Sequence, residues 1–162
     1  MANYYTKAAF ELTLELEQKI FALQVLECAE DENVDFTKSR KTAHEAAYPN
    51  DVYRLAKRFV KSLDDYEPGN VYLPFEYVDT GDSIHIAHDE NINTEAAATF
   101  CYLILKYFDS DDYVCIEAAH TCSSPRADGF GGHAAFITKK GGKWMSTGHW
   151  MHRIIAKHQK AA

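Results

Sequence analysis

His120 and Cys122 stand two residues apart in the run Tyr113 to Cys122. In a strand that spacing puts both side chains on one face, together with Val114, Ile116 and Ala118. A cysteine nucleophile needs a base within hydrogen-bond reach and a third group to orient that base. Strand neighbours two apart run side by side and rarely meet that geometry, so the base would come from elsewhere, such as His133 beyond the next turn. Metal chemistry would draw on His85, His88, His120, Cys122, His133, His149 and His152. Closed zinc sites pair their ligands at short fixed spacing. His149 and His152, three apart on the last helix, are a workable pair, and they read as surface histidines in the first turn of a helix. Cys115 falls on the opposite strand face from His120 and Cys122, so those three do not converge. Glu117 is the one acid inside an apolar strand, and it reads as solvent-facing. No catalytic constellation stands out, and neither a metal nor a cofactor is expected.

Between the strand ending at Cys122 and the strand beginning near His133 the chain reads Ser-Ser-Pro-Arg-Ala-Asp-Gly-Phe-Gly-Gly. Glycines at 129, 131 and 132 permit close backbone approach. Backbone N–H groups, hydroxyls and a guanidinium in one loop can cradle an anion or a carboxylate. The ligand-binding candidates are therefore Thr121, Cys122, Ser123, Arg126, Asp128, Gly131 and Gly132. The competing reading is a self-satisfied connection, with Phe130 tucked in, Arg126 paired to Asp128 and serine capping its own turn.

Thr121-Cys122-Ser123, Pro125-Arg126, Phe130-Gly131-Gly132, Thr138, and Thr147 with Trp150 together resemble the C-terminal halves of a group of small uncharacterised proteins of bacterial plasmids and phages. The chain departs from that pattern at Ser124, where the group has Lys, and at His133, where it has a small residue. The front of the chain matches only in outline. The resemblance carries no activity with it. It implies a mobile-element origin and a role in host takeover or counter-defence.

Several elements must hold these residues. Tyr5 to Leu14 alternates as a strand. Leu16, Ile20, Leu23 and Leu26 recur at helical spacing to about Cys28. Residues 29–48 are a long polar excursion, with a helical turn expected at Arg40 to Ala47. Asn50 is placed to cap a second helix carrying Val52, Leu55, Phe59, Val60 and Leu63. Pro68-Gly69-Asn70 is a turn, and Phe75 to Val78 with Ile84 to Ile86 reads as a hairpin. Asn93 or Thr94 caps a third helix. Strands follow at 113–122, 133–138 and 143–146. Thr147 opens a last helix whose apolar stripe is Trp150, Met151, Ile154 and Ile155, with residues 157–162 as a frayed tail. Hairpins dominate, so the expected fold is one α+β domain over 1–162: a two-layer sandwich, its largely antiparallel sheet covered on one face by helices, loosely ferredoxin-like.

At 162 residues the chain can build one sizeable core without disulfides or metals. Its four cysteines lack paired spacing and read as free thiols of a reducing compartment. No basic stretch precedes an apolar run at the start, and no segment is long enough to span a membrane, which points to the cytoplasm. Lys and Arg number 17 against 24 Asp and Glu, for a net charge of −7. That balance argues against direct nucleic-acid binding. Acidic runs occur at Glu30 to Glu32, Asp64-Asp65 and Asp109 to Asp112. The functional expectation is a non-enzymatic binding protein whose acidic surface meets a basic-surfaced protein of the host or of its own element. The alternatives are a small enzyme or anion-binding domain built on the Thr121–His133 loop, and a structural homodimer.

Overall fold

The computed structural model describes residues 3–37, 47–63 and 72–161. In chain order its elements are β1 (Tyr4–Thr13), α1 (Leu16–Glu30), α2 (Asn50–Val60), β2 (Glu76–Asp79), β3 (Ser83–His88), α3 (Thr94–Tyr107), β4 (Tyr113–Cys122), β5 (Gly131–Thr138), β6 (Gly141–Ser146) and α4 (Thr147–Ala161). The strands form one antiparallel sheet in the order β2-β3-β1-β4-β5-β6. From β1 to β4 the chain traces strand, helices, two strands, helix, strand, with β1 and β4 adjacent. This is the ferredoxin-like connectivity. The β5–β6 hairpin then widens the sheet. The protein is an α+β fold with helices packed on the sheet, as the alternation of its strands implies.

Ala8, Phe10 and Leu12 of β1 point into the core, as do Ile84 and Ile86 of β3, Val114 and Ile116 of β4, and Ala135 and Ile137 of β5. Phe59, Phe75 and Phe100 meet above them with ring centroids 5.6–6.3 Å apart. Each such buried ring contributes about 1.5–3 kcal/mol. Among the described residues no helix is long and apolar enough to cross a membrane.

The helices depart from the sequence reading in instructive ways. The stripe Leu16, Ile20, Leu23 and Leu26 does not face inward as a unit. The buried face of α1 is Lys19, Ala22, Val25, Leu26, Cys28 and Ala29, while Leu16 is 66% and Ile20 48% exposed. Small residues let α1 approach its neighbours closely, and that choice turns Leu16 and Ile20 outward. Lys19 is buried with its ammonium on Asp79 Oδ1 at 2.6 Å and on the Gly81 carbonyl, which ties α1 to the β2–β3 turn. These bonds, from Lys19 first, hold the Asp79 carboxyl below its usual value. Pro49, not Asn50, occupies the cap position of α2, and the helix ends at Val60 before Leu63. Asn93 caps α3, accepting from the Ala96 N–H at 3.0 Å. The last helix is solvent-exposed along its described side chains, so Trp150, Met151, Ile154 and Ile155 face water and not the core. It also continues to Ala161, where a frayed tail from 157 was expected. The expected helical turn at Arg40 to Ala47, all but its last residue, lies outside the described residues, as do Asp64-Asp65 and the Pro68-Gly69-Asn70 turn.

Candidate functional site

Two regions come together at the end of the sheet where β1 begins and β4 ends. The first is the loop between β4 and β5. Ser123 anchors it to the chain's start: its N–H donates to the Asn3 carbonyl at 2.9 Å, and its Oγ accepts from the Asn3 N–H at 2.9 Å. Arg126 Nε donates to Asp128 Oδ1 at 3.1 Å, so the guanidinium is engaged within the loop. The Arg126 N–H donates to the Ser124 carbonyl, and the Gly129 N–H to the Arg126 carbonyl. Phe130 is 60% exposed and is not tucked in. Thr121 and Cys122 end β4, half-buried, and Cys122 has the α-carbon of Tyr4 opposite it on β1. Gly131 and Gly132 open β5. A side chain at Gly132 would bring its Cβ within 2.7 Å of the Ala118 carbonyl oxygen, so this glycine serves the close approach of β5 to β4. Thr147 Oγ1 accepts from the Gly132 N–H at 3.0 Å and fastens the start of α4 there. The seven residues singled out in the sequence are thus neighbours, held largely by one another and by the backbone.

The second region lies on the inner side of the sheet and was not assembled from the sequence. His133 stands opposite Ala118 in the β4–β5 register, which sets it diagonal to His120 on the same face. His133 Nδ1 and His120 Nε2 are 2.8 Å apart. His133 Nε2 lies 2.7 Å from Thr94 Oγ1 at the start of α3. His120 Nδ1 lies 3.2 Å from Thr6 Oγ1 on β1. Four side chains from four elements therefore form one hydrogen-bonded chain: Thr94, His133, His120, Thr6. A pocket of about 300 Å³ opens over it, lined by Thr94, Glu95, His120, His133, Trp144 and His149 among others. The imidazole of His133 also packs beside the Trp144 ring, with centroids 5.8 Å apart.

Burial assigns the direction of this chain. Thr94 is 5% exposed and His133 Nε2 is the acceptor within reach of its hydroxyl. A buried hydroxyl proton needs an acceptor, so Thr94 donates and His133 Nε2 is unprotonated. The His133 proton then sits on Nδ1 and is donated to His120 Nε2. His120 in turn donates from Nδ1 to Thr6 Oγ1, whose own proton faces a half-exposed setting. Burial, and next the neighbouring His120, hold the His133 imidazole below its ordinary value of 6.5, while Glu95 opposes them. Neutral His133 is the form this network needs.

The remaining candidates stay apart. His149 reaches the pocket from the first turn of α4, whereas His152 is on the exposed helix surface away from the lining. Cys115 and Glu117 face outward on β4, opposite His120. Cys101 is fully buried in α3, and burial pushes its thiol up to about 12. All four cysteines are free thiols. Among the described residues no three His, Cys, Asp or Glu side chains are grouped to hold a metal ion. Compared with known proteins, the chain matches no family model, no curated protein and no solved structure.

Proposed function

We propose that this chain is a binding protein acting by protein–protein contact, with an acidic patch of α1 as its contact surface and a basic-surfaced protein as its partner. The observation that carries this reading is the outward turn of Leu16 and Ile20. They lie on the same side of the helix as Glu27 and are flanked by exposed Glu15 and Glu17. An apolar centre with a charged rim is the anatomy of a specific contact. Much of the other acid is already engaged. Lys139 Nζ bridges Asp109 and Asp111 at 3.0 and 2.8 Å. Glu30 accepts from the Tyr77 hydroxyl and Asp31 from the Tyr48 hydroxyl. Those bonds help push the Tyr48 hydroxyl up to about 12 and the Tyr77 hydroxyl up as well, behind burial as the larger cause. The rim of α1 presents exposed Glu15, Glu17 and Glu27 to a partner. The resemblance of the C-terminal segment adds the setting, a phage or plasmid protein acting in host takeover or counter-defence.

A photo-crosslinking side chain at position 20 tests this reading in lysate of the cell that carries the gene. The expected result is one dominant adduct with a basic-surfaced protein, lost when Glu15 and Glu17 become Gln and weakened as salt rises. An unlabelled position 20, or adducts that ignore both changes, would remove the α1 surface from consideration. The alternative of a small enzyme or ligand-binding domain draws its support from the histidine pocket, since Arg126 is paired within its own loop.

A further inference from the structure

The polarity of the Thr94–His133–His120 chain has a chemical meaning that goes beyond the contact reading and does not depend on it. A hydroxyl that donates to a neutral imidazole, which in turn donates to a third group that orients it, is the arrangement of an activated nucleophile. Both bonds, 2.7 Å and 2.8 Å, fall within the reach such a relay requires. The third group is here a histidine, itself held by Thr6 at 3.2 Å. Thr94 opens α3, and the first N–H groups of a helix have no acceptor within it. The Asn93 side chain takes that of Ala96, and those of Thr94 and Glu95 belong to the same first turn as the hydroxyl. Donors in that position serve a developing oxyanion. The pocket of about 300 Å³ is lined by both Thr94 and His133 and has room for a small acyl group.

We propose that Thr94 and His133 form an acyl-transfer site for small carboxylic esters, with His120 and Thr6 as positioning residues. Thr94 Oγ adds to the ester carbonyl carbon as its proton passes to His133 Nε2. The tetrahedral oxyanion rests on the N–H groups at the start of α3. Collapse breaks the bond to the alcohol oxygen, which leaves with the proton from His133, and the acyl group remains on Thr94. Water then adds to the acyl carbon, giving its proton to His133. The second collapse frees the carboxylic acid and returns the proton to Thr94 Oγ. Both protons and both alcohol oxygens are accounted for, and no electron transfer is needed.

The test uses the full chain and p-nitrophenyl acetate. A burst of p-nitrophenol is expected, with one acetyl group recovered by mass spectrometry on the peptide that carries Thr94. Thr94→Ala should abolish the burst and Thr94→Ser should restore it. His133→Gln should slow acylation by about 10²–10⁴-fold. Replacing His120 by Gln should move the pH profile of acylation, a change that a purely structural role would not produce. Melting curves of each variant report folding separately. Release from Thr94→Ala as fast as from the native chain, or an acetyl group on any other residue, would overturn the proposal. So would a Thr94→Ser variant that folds and stays inert.

Discussion

His133 commits both ring nitrogens to side chains, Thr94 on one side and His120 on the other, and protonation keeps the donation to His120 but disrupts the bond from Thr94. In the imidazolium form both nitrogens are donors, so Nε2 would face the Thr94 hydroxyl as donor to donor until that hydroxyl turned away. Folding therefore favours the neutral ring, in keeping with a value held below 6.5 chiefly by burial. The unfolded chain binds this proton more readily than the folded one. The stability that His133 contributes is thus fully present above 6.5 and is lost as the pH falls through the folded value. The expected outcome is a melting temperature that declines on acidification from about pH 7 towards pH 5, with a shallower decline in His133→Gln. Carboxylates such as Asp79 titrate at lower pH and do not mask the difference. An NMR titration in which the His133 ring protonates above 6.5 would contradict this account. The sequence placed His120 on the inner face of β4 correctly and named His133 only as a base for Cys122, not as the partner of His120. A register that sets Ala118 against His133 makes the pair, and a slip of one residue would turn His133 to the other face. Thr94 enters the sequence pattern only as a helix-start residue, and nothing local announces that a strand imidazole meets it.

Strands whose faces alternate were read correctly from sequence, whereas the inward stripes expected for α1 and α4 were not met. The inward faces of β1, β4 and β5 follow from period-two patterning, with β1 one residue earlier than expected and β5 beginning at Gly131 rather than His133. Helix α1 carries large apolar residues on one side and small ones on the other. Counting hydrophobicity alone selects Leu16 and Ile20, whereas packing selects Ala22, Cys28 and Ala29. The same preference for close approach governs the glycines of the loop before β5. Gly132 was proposed as a ligand contact, and at the level of the element it lets β5 lie against β4. Gly132→Ala should therefore destabilise the fold by about 1–3 kcal/mol, because a Cβ 2.7 Å from a backbone oxygen forces the strands apart. Urea denaturation measures this directly through the midpoint. An unchanged midpoint would mean that β5 is free to shift and that the glycine serves the loop instead.

Among the described residues the sheet is covered on one side only. The inner face of the sheet lies under α1, α2 and α3, while the outer face presents Lys7, Ala9, Glu11, Cys115, Glu117 and Phe136 to solvent. Beside it α4 carries Arg153, Lys157 and Lys160 and no acid, so without this helix the chain would be more negative than −7. Ser146 ends β6 and Thr147 begins α4, so no linker is available for the helix to fold back across the sheet edge. Its Trp150, Met151, Ile154 and Ile155 stay 44–52% exposed and lie outside the core, although a stripe of that kind ordinarily supplies most of a helix's stability. Ending the chain after His149 keeps the Thr147 bond to Gly132 and the pocket lining while removing the exposed part of α4. The melting temperature should then shift by less than about 2–4 °C, the equivalent of about 1 kcal/mol for a chain of this size. The comparison is decisive when repeated across protein concentration. A folded monomer melts at one temperature with or without α4. A homodimer built on the helix melts higher as concentration rises, and the truncated chain loses that dependence.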